Sequence, residues 1–161
     1  VAVIGAGGSS LVVALLAAGY QQIVAVDIAR PGLQQLVERV PADQAVALST
    51  VVADVRLLHL DEPVQLWHDR ATLHFLLSDA DRAAYAEVAQ RSIVPGGLAV
   101  IATFALDGPQ QCSGLDVRRY DVEGLASMFA DGFELVDSLR HVHLTPWGAE
   151  QPFTYVVLRR R

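Results

Sequence analysis

The chain contains no lysine in its 161 residues, so its 12 basic side chains are all arginine, set against 18 acids for a formal net charge of −6. Binding to a nucleic-acid backbone rests on clustered positive charge, and this balance excludes a general binder of that kind. The one basic run, Arg159 to Arg161, reads as a solvated tail. Cysteine is almost as scarce. A single Cys112 cannot form an internal disulfide, which fits a reducing compartment and makes a cytoplasmic location the expectation. No apolar run approaches the roughly 20 residues needed to cross a bilayer. The longest, Leu11 to Ala18, falls far short, and neither a secretory leader nor a membrane partner is expected. The sequence opens on Val1-Ala2-Val3-Ile4 without an initiator Met, so an upstream segment is expected to have been lost.

Apolar residues make up 52% of the chain and charged residues 19%, which supplies a core and predicts one domain over residues 1–161. Val1 to Ile4 reads as a buried strand running into the turn Gly5-Ala6-Gly7-Gly8. A helix capped by Ser9 or Ser10 and ended by Gly19 should follow. Gln22 to Val26 is a second strand ending on Asp27, and Pro31 suits the first turn of a second helix that runs toward Val40. Ala45 to Val52 reads as a third strand ending near Asp54, and Pro63 to Trp67 as a fourth ending at His68-Asp69-Arg70. One or two helical turns over Thr72 to Leu77 precede a helix at Arg82 to Ile93 behind the cap Ser78-Asp79-Ala80-Asp81. Pro95-Gly96-Gly97 should break that helix ahead of a fifth strand at Leu98 to Phe104. Alternating strands and helices predict a doubly wound, mostly parallel α/β sheet with helices on both faces. Asp107 to Tyr120 reads as a functional loop, Val122 to Phe129 as a helix, and Phe133 to Leu144 with Phe153 to Leu158 as a closing hairpin.

Three strand ends carry chemistry. Glycines at Gly5 and Gly7 let backbone and ligand approach closely, because a Cβ there would fill the space the ligand needs. Asp27, about 20 residues beyond those glycines, is placed to accept from both hydroxyls of a ribose. Asp54 can accept from an exocyclic amino group, and two acids around one ligand favour a cationic one. Together they point to a nucleoside-containing ligand. A dinucleotide fingerprint asks for a third glycine, and Ser10 stands in its place, which leaves an NAD(P)-dependent oxidoreductase as an alternative; a nucleoside-binding module without catalysis is another.

The chain resembles a class I S-adenosylmethionine-dependent methyltransferase over nearly its whole length. The resemblance rests on Val1 to Gly7, on Val24-Ala25-Val26-Asp27-Ile28, on Val52-Ala53-Asp54-Val55, on Leu66 to Ala71 and on Ile93 to Leu98. It implies a seven-stranded sheet of order 3-2-1-4-5-7-6 with the last strand antiparallel, and S-adenosyl-L-methionine as cofactor. It further implies that Gly5, Ala6 and Gly7 line the methionine and ribose portion, Asp27 the ribose hydroxyls, Ile28 the adenine face and Asp54 the adenine amino group. Val55 would pack nearby, and Asp69 would sit beside the methionine amino group and the methyl. Val3 stands where the family's first motif carries an acid, and the family's helix ahead of the first strand is not in the sequence.

Methyl transfer from a sulfonium needs alignment, exclusion of water and, for a protonated nucleophile, a proton acceptor. Asp69, Arg70 and His74 are the catalytic candidates, from the densest polar stretch next to an apolar strand. His74 reads as a general base or as a histidine that packs its helix, and Arg70 as a clamp on a substrate carboxylate or as the partner of a neighbouring acid. Asp69-Arg70-Ala71 looks like the corresponding loop of thiol methyltransferases, and the wider stretch resembles small bacterial relatives of the lysine-methylating branch. His141 and His143 share a strand face but lack a third ligand, so no metal is expected. Cys112 and Trp147 fit packing roles as well as pocket ones. The sequence lacks both the Asn-Pro-Pro-Tyr-like loop and the Pro-Cys pair expected of methyltransferases acting on DNA bases. The expected acceptor is a small molecule, such as a thiol or other soft nucleophile, or else a protein side chain.

Overall fold

The computed structural model describes all residues from Val1 to Arg161. Nine strands and four helices follow one another as β1 (Ala2–Ile4), α1 (Ser10–Ala17), β2 (Ile23–Asp27), α2 (Arg30–Arg39), β3 (Leu48–Val52), β4 (Val64–Arg70), α3 (Asp79–Ser92), β5 (Ile93–Phe104), β6 (Gln111–Cys112), β7 (Leu115–Asp116), α4 (Val122–Ser127), β8 (Phe133–Leu144) and β9 (Glu150–Arg160). Seven strands form one sheet in the order β3-β2-β1-β4-β5-β9-β8, and β6 pairs only with β7. The first five of that sheet are parallel, while β9 runs antiparallel to both its neighbours. This is the doubly wound order that the resemblance implies.

Local chemistry accounts for most of the helix boundaries. Ser9 accepts the Leu11 amide at 3.1 Å and starts α1, and Pro31 sits in the first turn of α2. Ser78 accepts the Asp81 amide at 3.0 Å ahead of α3, and Asp121 accepts the Gly124 amide at 2.8 Å ahead of α4. Helices α1 and α2 bury Val12, Leu16, Leu33 and Leu36 against Val3, Ile23 and Ala25. The opposite face is the larger core, where Tyr85, Val88 and Ala89 of α3 and Leu125 of α4 meet Trp67, Ala99, Ile101 and Val156. Burying a large side chain of this kind is worth about 1.5–3 kcal/mol.

Several boundaries differ from the sequence reading. Ala45–Ala47 forms a turn of 3₁₀ helix and β3 begins only at Leu48, because Val46 is 95% exposed and has no sheet face to join. β4 runs on through His68-Asp69-Arg70, paired with Val100, Ile101 and Ala102 of β5. Pro95-Gly96-Gly97 lies inside β5 and not ahead of it: the pairing jumps from Val64↔Ile93 to Leu66↔Leu98, and the extra residues bulge out where Gly96 adopts φ +79. Helix α4 stops at Ser127, two residues early, and the loop after Asp107 contains the small β6–β7 hairpin.

Candidate functional site

At the carboxyl ends of β1 to β4 lies a cavity of about 410 Å³, lined by Gly5, Asp27, Ile28, Asp54, Val55 and Thr72 among others. Small-molecule sites commonly span ~300–1,000 Å³. Gly5 takes φ +62, and a Cβ on it would fall 1.9 Å from the Thr72 hydroxyl oxygen, so only glycine fits between β1 and the loop after β4. Gly7 lies just behind the cavity and presents its amide to Asp27 Oδ2 at 2.8 Å. The other oxygen of Asp27 accepts the Ala29 amide at 2.7 Å. Each carboxylate oxygen keeps acceptor capacity beyond these single bonds. Ile28 is 71% exposed at the cavity mouth, whereas Ala6 is buried between sheet and α1 and lends no side chain to this cavity.

Asp54 also lies on the rim, but it is engaged. It accepts the Arg56 amide and the Arg56 guanidinium, which reaches onward to Asp81. Hydrogen bonding from Arg56 holds the Asp54 carboxyl below its ordinary range. The same pairing pushes the guanidinium further up and keeps it charged.

Two predicted residues turn inward. The Asp69 carboxylate is completely buried and is filled by donors of its own chain: the Thr72 amide at 2.9 Å, the Leu73 amide at 3.1 Å and the Tyr85 hydroxyl at 2.7 Å. Tyr85 in turn accepts from the Trp67 indole at 2.9 Å. Burial pushes the Asp69 carboxyl up to about 6, and the same burial raises the Tyr85 phenol. Asp69 therefore fastens the loop after β4 and lines neither neighbouring cavity. His74 is likewise fully enclosed, edge-on to Phe75 at 4.5 Å and against Phe104 at 4.9 Å between ring centres. Neither ring nitrogen has a hydrogen-bond partner, and burial lowers the imidazole to about 4. Of the two sequence readings of His74, the packed one describes its surroundings, because the ring has no path to an acceptor.

Arg70 points to a second cavity of about 490 Å³ on the α1 side of the sheet, which shares Ile4 and Gly5 with the first. Its guanidinium carbon lies 4.7 Å from the centre of the Phe153 ring, and it forms no salt bridge. His68, His141, His143 and Tyr155 line the same space. Burial and the Arg70 charge lower the His68 imidazole, and its Nδ1 lacks a partner.

The sequence reading passed over Arg56, Thr72, Tyr85 and His68. Arg56 stands two residues beyond Asp54 and was legible as a partner by spacing alone; Tyr85 lies 16 residues beyond Asp69 on a separate helix, and nothing local announces that contact. Leu115, in the β6–β7 hairpin, closes one side of the first cavity, which gives the loop predicted to be functional a place at the site. Cys112 in the same hairpin is half-buried, and Trp147 is exposed at the β8–β9 turn.

Residues 1–97 match the family model described as a methyltransferase domain. No curated protein sequence matches the chain. Solved structures give the fold. The N-methyltransferase NodS from Bradyrhizobium japonicum WM9, bound to S-adenosyl-L-homocysteine, superposes with TM-score 0.76 at 12% identity, over 99% of this chain and 76% of that one. The 1,6-didemethyltoxoflavin-N1-methyltransferase of Burkholderia thailandensis gives 0.77 at 23% identity, over 99% and 70%. The glycopeptide N-methyltransferase MtfA, complexed with S-adenosyl-L-methionine, gives 0.75 at 14% identity, over 99% and 80%.

Proposed function

This chain belongs to the methyltransferase-domain family, and from that premise we propose that it transfers a methyl group from S-adenosylmethionine to a small acceptor. The observation that carries the reading is the cavity at the ends of β1 to β4, where a glycine that tolerates no Cβ, a carboxylate with free acceptor capacity and an exposed apolar residue meet.

The residues present suit an adenosyl sulfonium. Asp27 would hold the ribose hydroxyls, Ile28 and Val55 would cover the adenine, and Asp54 would accept its amino group. Gly5 leaves room for close approach. The bound group supplies a methyl already activated on a cationic sulfur, open to displacement from the far side. The chain's own part is positioning. Asp69, with Tyr85 and Trp67, fixes the Thr72 and Leu73 amides, so that Ala71 and Thr72 form a constant wall opposite Gly5. Asp69 is thus a positioning residue. His68 faces the second cavity, where burial and the neighbouring Arg70 charge lower its imidazole.

One neighbour in fold is a 1,6-didemethyltoxoflavin-N1-methyltransferase and another a glycopeptide N-methyltransferase, which supports a small acceptor here. Isothermal titration with S-adenosylhomocysteine and with NADH tests the reading. Tight binding of the first and none of the second is expected; binding of NADH alone would overturn it.

A further inference from the structure

Resting on the methyl-transfer reading, we propose that the acceptor carries an anionic group, a carboxylate or a phosphate, which docks in the second cavity against Arg70, His141 and His143.

The chain has a net charge of −6, yet the walls of this cavity include no aspartate or glutamate. They include one arginine and three histidines drawn from two strands far apart in sequence, β4 and β8. Of the other eleven arginines, Arg56, Arg82, Arg140 and Arg159 pair with an acid and five more donate to backbone carbonyls. Arg70, like Arg30 and Arg118, has neither kind of partner, and its guanidinium carbon lies over the Phe153 ring, 4.7 Å from the ring centre. A guanidinium stacked on an aromatic face keeps its in-plane N–H groups free, and that planar fork matches the two oxygens of a carboxylate or phosphate.

The neighbouring strand completes the arrangement. In the β8–β9 register His141 stands opposite Phe153, the residue under Arg70, and its ring lies 6.5 Å from that of Tyr155, which also lines the cavity. His143 follows on the same strand face, and the Ser9–Ser10 start of α1 borders the opening. The unpartnered Nδ1 of His68 lies deeper in the same wall. Four nitrogen-bearing side chains thus surround a space that adjoins the first cavity at Gly5. An acceptor anchored there by its anionic end would direct the rest of itself toward the cofactor side.

Paired acceptors and paired probes test this. Initial rates with S-adenosylmethionine are compared for thiosalicylate against thiophenol and for anthranilate against aniline. In parallel, benzoate and inorganic phosphate are titrated into the S-adenosylhomocysteine-loaded protein, with the histidine ring signals followed by NMR. Wherever a pair turns over, the carboxylate member should be favoured at least tenfold in kcat/KM. Benzoate or phosphate should move the His141 and His143 signals, and Arg70→Gln should weaken that binding at least tenfold while leaving S-adenosylhomocysteine affinity within twofold. Arg70→Lys should fall between the two. The proposal is overturned if neither anion perturbs those rings, if Arg70→Gln binds them as well as the parent, or if the neutral acceptors are preferred. Failure of S-adenosylhomocysteine to bind would overturn the methyl-transfer reading instead, and the anion titration on the unloaded protein would still decide this one.

Discussion

Asp27 and Gly7 are joined by a hydrogen bond of 2.8 Å from the glycine amide to Oδ2, while Oδ1 of the same carboxylate takes the Ala29 amide at 2.7 Å. One side chain therefore both shapes the glycine turn and faces the ligand cavity. Asp27→Ala is expected to reduce S-adenosylhomocysteine affinity by about 100-fold or more, since hydrogen bonds to a charged group contribute about 1.5–3 kcal/mol each. It should also lower stability by about 1–3 kcal/mol, because two amides lose their acceptor. Titration calorimetry and urea denaturation read the two effects separately, and unchanged affinity would remove Asp27 from the ribose site.

The close approach of Gly5 to Thr72 makes a coupled prediction. Gly5→Ala introduces a left-handed residue, at about 1–2 kcal/mol, and a methyl group that overlaps the Thr72 hydroxyl. Thr72→Ala should relieve the overlap but not the backbone strain. In a double-mutant cycle the pair should therefore be more stable than the sum of the single losses predicts, by at least about 1 kcal/mol. Simple additivity would show that the contact is absent in solution.

Buried Asp69 and buried His74 have opposite effects on stability across the same pH window. The Asp69 carboxyl titrates near 6 in the folded chain against about 3.9 unfolded. Its contribution is fully present below about pH 4 and is lost as pH rises through 6, by about 3 kcal/mol. The His74 imidazole titrates near 4 against about 6.5 unfolded, so its contribution is present above about pH 6.5 and is lost as pH falls toward 4. The two slopes nearly cancel in the parent protein. Denaturation curves at intervals from pH 4 to 7 should show His74→Leu losing stability, relative to the parent, as pH rises. Asp69→Asn should show the reverse. Parallel profiles for all three proteins would contradict both assignments. His74→Leu should also keep kcat within about threefold, because its ring nitrogens reach no cavity.

Ala71 holds φ +69, a left-handed conformation without the excuse of a missing Cβ. Ala71→Gly should relieve about 1 kcal/mol of backbone strain, offset in part by the greater freedom of an unfolded glycine, so the net change should be within about 0.5 kcal/mol of zero. The same change removes a methyl from the wall of the first cavity, and S-adenosylhomocysteine affinity should fall severalfold. A loss of stability without a loss of affinity would place the strain elsewhere.

The sheet was legible because its signals are local. Apolar runs ending on Gly5, Asp27 and Asp54 announce strand, turn and acid within a few residues, and the Phe133–Leu144 strand matches its sequence reading to the residue. What escaped depends on distant partners. Ala45 to Ala47 is apolar enough for a strand, but no neighbouring backbone reaches it. Asp69 reads as a polar strand end until Tyr85, on the following helix, fills its oxygens. His74 reads as an available base until Phe104 arrives from β5. The basic cavity was invisible for the same reason: Arg70 and His141 are 71 positions apart and line one cavity because β4 and β8 share a sheet, with β5 and β9 between them.

The insertion of β9 between β5 and β8 also dictates the order of assembly. During synthesis β8 emerges first, yet it has no place beside β5 until residues 150–160 have followed it out of the ribosome and filled the gap. Until then the β5 edge and the whole length of β8 stay unpaired, a sticky interval in which a nascent chain is most exposed to aggregation.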